Sequence, residues 1–155
     1  MKMIGDLHIH SRFSMATSRE GTPENLDFWA RKKGISLIGT GDFTHPVWRE
    51  ELKERLVTEG NGLYRLRDEY VKEESRKFPG KGTRFVVSGE ISSIYKKNGK
   101  TRKVHNVILL PSLEAADAMA QCLEKIGNIH SDGRPILGLD SHDLLEMMLD
   151  VCPEG

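Results

Sequence analysis

Net charge is the first thing this chain lacks: 23 lysines and arginines stand against 23 aspartates and glutamates in 155 residues. That balance excludes a protein that holds nucleic acid by bulk charge alone, so any such contact must be local. Cysteine is scarce too. Cys122 and Cys152 lie far apart with no CxxC spacing, which reads as two reduced thiols in a cytoplasmic protein. No apolar run approaches the ~20 residues needed to span a bilayer. The opening MKMIGDLHIH has neither the apolar stretch nor the small-residue cleavage site of a signal peptide. Internal repeats, low-complexity tracts and linkers are also absent. GKGTRF lacks the flanking strand and helix of a phosphate loop, and no Ser or Cys stands in a triad context. What remains is one ordinary soluble domain, long enough to bury a core.

Strand and helix patterns alternate along it. MIGDLHIH reads as a first strand. TPENLDFWARKKG reads as a helix with Thr22 as cap, Pro23 in the first turn, Gly34 at the end, and Leu26, Trp29 and Ala30 on its apolar face. ISLIGTGD is a nearly continuous apolar run, as in a parallel strand buried on both faces. PVWREELKERLV is a second helix. Residues 60–82 are polar and glycine-punctuated, with a candidate helix over LRDEYVKEESRK. RFVVSGEISSIY and KVHNVILLP are strands joined through Asn98-Gly99, a strong hairpin signal. SLEAADAMAQCLEKIG is a helix capped by Ser112, with a stripe of Leu113, Ala116, Ala120 and Leu123 and a stop at Gly127. PILGL is a short fifth strand, and SHDLLEMMLDV a last helix with Ser141 as cap. The alternation predicts an α/β fold of about five strand units, either an open sheet or the first part of an interrupted (β/α) barrel. The chain stops at LDVCPEG without a closing tail, so residues 1–155 read as the N-terminal part of a longer domain.

The chemistry sits at the strand ends. Strand side chains alternate, which puts Asp6, His8 and His10 on one face of the first strand. Two imidazoles two residues apart suit one metal ion, with Asp6 orienting a histidine from behind. Asp42 and His45 follow the second apolar run, and Glu90 stands directly behind FVVSG. His105 sits near the start of its run; an antiparallel return through the hairpin or an offset in register can bring it beside Glu90. Catalytic groups cluster at the carboxyl ends of parallel strands; Asp42, His45 and Glu90 follow that rule, and His8 and His10 close the first strand. Imidazole with carboxylate suits zinc, manganese or iron, and disfavours calcium or magnesium alone.

DLHIHSRFS, then GTGDFTHP, then SGEIS, then VHNVILL, in that order, resembles the PHP (polymerase and histidinol phosphatase) superfamily. Within it, the chain is most similar to endonuclease Q and its bacterial relatives labelled UvrD-like. The resemblance implies an incomplete distorted barrel of the PHP type, truncated before its closing strands. It implies a cluster of two or three divalent transition metals. It also implies a DNA repair endonuclease cutting 5′ of uracil, hypoxanthine or xanthine and at abasic sites. Position by position, it gives His8, His10, Asp42, Glu90 and His105 as metal residues, with Glu90 bridging and Glu90 and Asp42 catalytic. Phe43 stands where many members have histidine, and His45 is the candidate substitute. Thr17 occupies a position where other branches place an acidic ligand. Asp140-Ser141-His142 matches the closing Asp-x-His motif in pattern, but reads as a capped helix start. His130 and Asp132 read as a polar loop.

A basic cluster, Lys96, Lys97, Lys100, Arg102 and Lys103, surrounds the hairpin turn and leads into His105. It is a candidate DNA-backbone contact, with a solvated turn as the alternative. Arg12 is a candidate contact for the scissile phosphate, with an ordinary surface arginine as the alternative. Phe13, Phe28 and Trp29 read as core. Rival functions are a phosphatase for a small phosphate ester and a non-catalytic DNA-binding module. If the closing strands are missing, the isolated chain is expected to lack nuclease activity and to self-associate through open strand edges.

Overall fold

The structure is a computed structural model, described for residues 3–80 and 82–153. Met1 and Lys2 of MKMIGDLHIH, Lys81 of GKGTRF, and Glu154 and Gly155 of LDVCPEG lie outside the described residues.

The described residues form seven strands and four α-helices, mixed along the chain. Strands β1 (Gly5–Asp6), β2 (Leu37–Gly39) and β5 (Arg84–Lys97) run parallel side by side. On the far side of β5, β4 (Leu63–Leu66) and β3 (Leu56–Gly60) add an antiparallel hairpin. The second half of β5 leaves those neighbours and pairs instead with β6 (Lys100–Leu110, antiparallel) and β7 (Ile136–Leu137, parallel). At 14 residues, β5 is the spine that joins the two halves of the sheet. The mixed α/β class agrees with the sequence, and the strand count rises from five to seven.

The helices are placed by their caps. Helix α1 (Pro23–Lys33) starts at Thr22, which accepts from the Asn25 amide, and ends at Gly34 in the left-handed region. Helix α3 (Leu113–Glu124) starts at Ser112, whose hydroxyl accepts from the Ala115 amide at 3.0 Å. Its predicted stripe, Leu113, Ala116, Ala120 and Leu123, is buried. Helix α2 (Pro46–Arg55) drives Trp48 and Leu52 into a core with Phe43, Phe85, Val87 and Ile91. Helix α4 (Ser141–Val151) is capped by Asp140, not Ser141: Asp140 Oδ1 accepts from the His142 amide at 2.9 Å. The Ser141 hydroxyl is instead engaged by Asn106 of β6.

Three further expectations change. The first strand pairs only at Gly5 and Asp6, because from Leu7 onward the chain presses against glycine backbone beyond β2. A Cβ on Gly41 would stand 2.5 Å from the Ile9 carbonyl, closer than any ladder neighbour allows. The segment over LRDEYVKEESRK is not an α-helix. It supplies β4's last residue and two short 3₁₀ turns, Asp68–Tyr70 and Glu73–Lys77, which bury only Ser75. On α1, Trp29 is exposed under Lys32, and the buried face is Pro23, Asp27 and Ala30. Asp27 tolerates burial because Arg31, one turn on, donates to both its oxygens at 2.8 and 3.0 Å. Burial still pushes its carboxyl up from the usual range.

Candidate metal centre

Parallel β1, β2 and β5 bring their carboxyl-side residues to one rim, and the site is built there. Glu90 lies in the middle of β5 and is 2% exposed. An isolated carboxylate so deeply buried is costly unless something compensates its charge. Three imidazoles converge on it. His8 Nε2 stands 2.7 Å and His10 Nε2 3.2 Å from Oε2, while His105 Nδ1 stands 2.6 Å from Oε1. Ligating atoms of His8, His10 and Glu90 all lie within 4.8 Å of one another. His105 reaches the group as the hairpin predicts. It pairs in register with Ser92, two residues from Glu90 on the same face of the sheet. Asn98 and Gly99 both have positive φ, which makes this tight return possible.

His10 is held from behind, and the residue behind it is Asp42. Asp42 Oδ1 lies 3.0 Å from His10 Nδ1. Its other oxygen accepts from the Ser11 amide at 2.7 Å and the Ser11 hydroxyl at 2.6 Å. Asp42 is wholly buried and has φ 51°, the left-handed conformation that aspartate adopts more readily than most residues. Gly133 seals it: a Cβ there would lie 2.4 Å from Asp42 Oδ2. The 133 backbone is pinned by its amide to the Phe13 carbonyl and by its carbonyl to the Thr44 hydroxyl. Trp48 and Arg49 brace the same turn from α2, through the carbonyls of Gly41, Phe43 and Thr44. The orienting carboxylate the sequence assigned to Asp6 is therefore Asp42. Asp6 is exposed, and among the described residues no hydrogen bond joins it to either histidine. Asp42 in turn has its oxygens engaged by His10 and Ser11. The Asp42 hydrogen bond, against the effect of burial, raises the His10 pKa above its ordinary value.

Other candidates go elsewhere. His45 does not join the group. It stacks on Phe13 with ring centroids 4.2 Å apart, and its buried Nδ1 has no hydrogen-bond partner. Burial lowers its pKa. Phe43 is fully buried against Gly89, a packing role no histidine would fill as well. Arg12 points away from the cluster: it donates to buried Glu51 at 2.8 Å and lies over the Phe13 ring. Thr17 ties down its own loop through the carbonyls of Ser11 and Ser14. His130 pairs with Glu124, and Asp132 accepts from the backbone amides of Met15 and Arg134, as a polar loop does. His142, with Asp143 and Glu146, forms a second set of donors, all exposed, on α4. Lys96, Lys97, Lys100, Arg102 and Lys103 are exposed, but the pleat divides them. Lys96 and Lys103 share the face of Glu90 and His105, while Lys97, Lys100 and Arg102 lie on the other. Lys97 is already paired with Asp140 at 2.6 Å.

Two residues escaped the sequence reading. Ser11 gave no signal because hydroxyls after a histidine motif are commonplace. Arg134 lies near enough to His10 for its charge to oppose protonation there, and no carboxylate pairs with it among the described residues. The only hint was its place in SDGRP, just before β7.

The fold is similar to part of a lesion-specific endonuclease of known structure. The crystal structure of PfuEndoQ, a lesion-specific endonuclease from Pyrococcus furiosus, matches with a TM-score of 0.76 and 28% identity, covering 96% of this chain and 32% of that one. Endonuclease Q in complex with a 27-mer duplex carrying an abasic lesion at its active site matches with a TM-score of 0.71 and 28% identity, over 95% of this chain and 32% of that one. The uncharacterized protein MJ0043 of Methanocaldococcus jannaschii is 34% identical over 147 residues, 94% of this chain. The chain thus spans about a third of the endonuclease Q chains and 15% of the archaeal relative. No family model matches it. No helix among the described residues is long and apolar enough to cross a membrane.

Proposed function

We propose that this chain carries part of the catalytic centre of a metal-dependent DNA repair endonuclease, on a barrel of the PHP type. Incision falls 5′ of uracil, hypoxanthine or xanthine and at abasic sites. The carrying observation is the convergence of His8, His10 and His105 on buried Glu90. A carboxylate has no structural need of three imidazoles. Moreover Glu90 Oε1 has no hydrogen-bond partner, since His105 Nδ1 approaches closely but not along a hydrogen-bonding direction. That donor set fits zinc, manganese or iron. Glu90 Oε2 with His8 and His10 would hold one ion, and Oε1 with His105 a second. Bound there, such ions lower the pKa of a water and stabilise the phosphoryl oxygens. The protein's own part is to fix the imidazoles around Glu90 and meet the phosphate with Arg134, since Arg12 is committed to Glu51. The likeness to an endonuclease bound to abasic-lesion DNA supports DNA over a small ester.

The test is metal analysis and incision by the intact protein and its His8→Ala, His10→Ala and Glu90→Ala variants. Each variant should lose metal, and cutting of uracil-containing and abasic strands should fall by orders of magnitude. Unchanged metal content and full activity in all three would remove the site. Turnover of p-nitrophenyl phosphate without DNA incision would favour the small-ester phosphatase, and a metal-free wild type the non-catalytic module.

A further inference from the structure

Asp42 has one oxygen, Oδ2, committed as an acceptor. The backbone amide of Ser11 points at Oδ2 from 2.7 Å and cannot turn away. The Ser11 hydroxyl adds a second donor at 2.6 Å while accepting from the Phe13 amide at 3.1 Å. The remaining oxygen, Oδ1, faces His10 Nδ1 at 3.0 Å. An imidazole has one N–H and one lone pair when neutral, and the nitrogen that meets hydrogen-bond geometry decides which is which: Nδ1 does so with Asp42, whereas Nε2 lies 3.2 Å from Glu90 Oε2 without making such a bond. We infer that Asp42 is a positioning residue that fixes the tautomer of His10, holding the proton on Nδ1 so that Nε2 presents its lone pair beside Glu90. The inference rests on the metal reading only for its consequence: the lone pair at Nε2 is what would hold an ion with His8 and Glu90.

The geometry makes an unusual prediction for the isosteric substitution. In Asp42→Asn, the fixed Ser11 amide demands the one amide oxygen. The new NH2 group must then face His10 Nδ1, which becomes an acceptor and drives the proton to Nε2. Asparagine should therefore be at least as harmful as alanine, which imposes no tautomer. A role in packing or burial alone predicts the reverse, with asparagine the milder change.

The experiment begins with wild-type protein without added metal, labelled with nitrogen-15 at histidine and observed at alkaline pH, where the ring is neutral. His10 should show Nδ1–H with a bare Nε2. The opposite tautomer overturns the inference without any variant being needed. Next, Asp42→Asn should invert that pattern. By zinc titration against a chelating indicator, both Asp42→Asn and Asp42→Ala should bind zinc ~10–100-fold more weakly than wild type, with asparagine no better than alanine. Asparagine binding zinc more tightly than alanine, with the tautomer unmoved, overturns it. Wild-type protein that binds no zinc would defeat the metal reading, while the nitrogen-15 result still decides the role of Asp42.

Discussion

At the scale of single residues, burial decides which histidine does what. His8, His10 and His105 each meet Glu90, whereas His45 is 8% exposed, with its Nδ1 unpartnered. Burial depresses its pKa. An unfolded chain takes up a proton at residue 45 as the pH falls through ~6.5, while the folded chain resists until its own lower value is reached. This contribution to stability is complete above ~6.5 and is lost on acidification. His10 acts in the opposite sense: its raised pKa favours the folded state at low pH and loses effect as the pH climbs through the folded value. The two partly cancel in the wild type, so the difference between proteins is the informative quantity. Between about pH 7.5 and about pH 5.5, wild type should lose more stability in urea unfolding than His45→Gln. An equal or smaller loss would mean that the folded chain protonates His45 freely.

At the scale of elements, the β5–β6 hairpin performs two tasks that its sequence does not separate. Its register carries His105 to Glu90, and its pleat sorts the five cations. Lys96 and Lys103 face the same side as the metal residues, while Lys97 is tied to the cap of α4 through Asp140. Replacing Lys96 and Lys103 by glutamine should weaken DNA binding and reduce the log–log salt slope by about 1.8 on duplex, ~0.9 for each phosphate that a lysine no longer neutralises. Replacing Lys97, Lys100 and Arg102 should leave the slope nearly unchanged. Equal reductions from both sets would show that the strand faces do not distinguish the two groups of cations. Turnover of p-nitrophenyl phosphate should be indifferent to either set.

At the scale of the whole molecule, the rim joins parts far apart in the chain: the N-terminal segment, the turn after β2, the middle of β5 and the middle of β6. A metal held by His8, His10 and Glu90 should stabilise the folded state, because it binds an arrangement that the unfolded chain lacks. Free zinc at about a hundred times its dissociation constant should add ~2.7 kcal/mol, which for a domain of this size is roughly 5–10 °C in Tm. Glu90→Ala should abolish that shift. A melting temperature that rises equally in the variant would place the binding elsewhere, with His142, Asp143 and Glu146 as the first group to examine.

Much of this is legible in residue order alone. Caps at Thr22 and Ser112 mark α1 and α3, and local pattern marks α2, α4 and the Asn98-Gly99 return, because each depends on neighbours within a few positions. His8, His10, Glu90 and His105 stand out in the sequence as ionisable residues beside apolar runs, although β1 ends at Asp6 before the two histidines and Glu90 lies in the middle of β5. The polar segment over residues 66–77 misleads: its charges suit a helix, but it has no apolar stripe to hold one against the core. What residue order could not decide is which carboxylate stands behind His10. Asp6 has the right spacing along an ideal strand, yet the ladder ends at Asp6 itself. Asp42, 32 positions further on than His10, takes the place because β1 and β2 run parallel and Gly41 lets the chains touch. Local spacing determines which side chains share a face; only the packing of one strand end over another determines which of them meet.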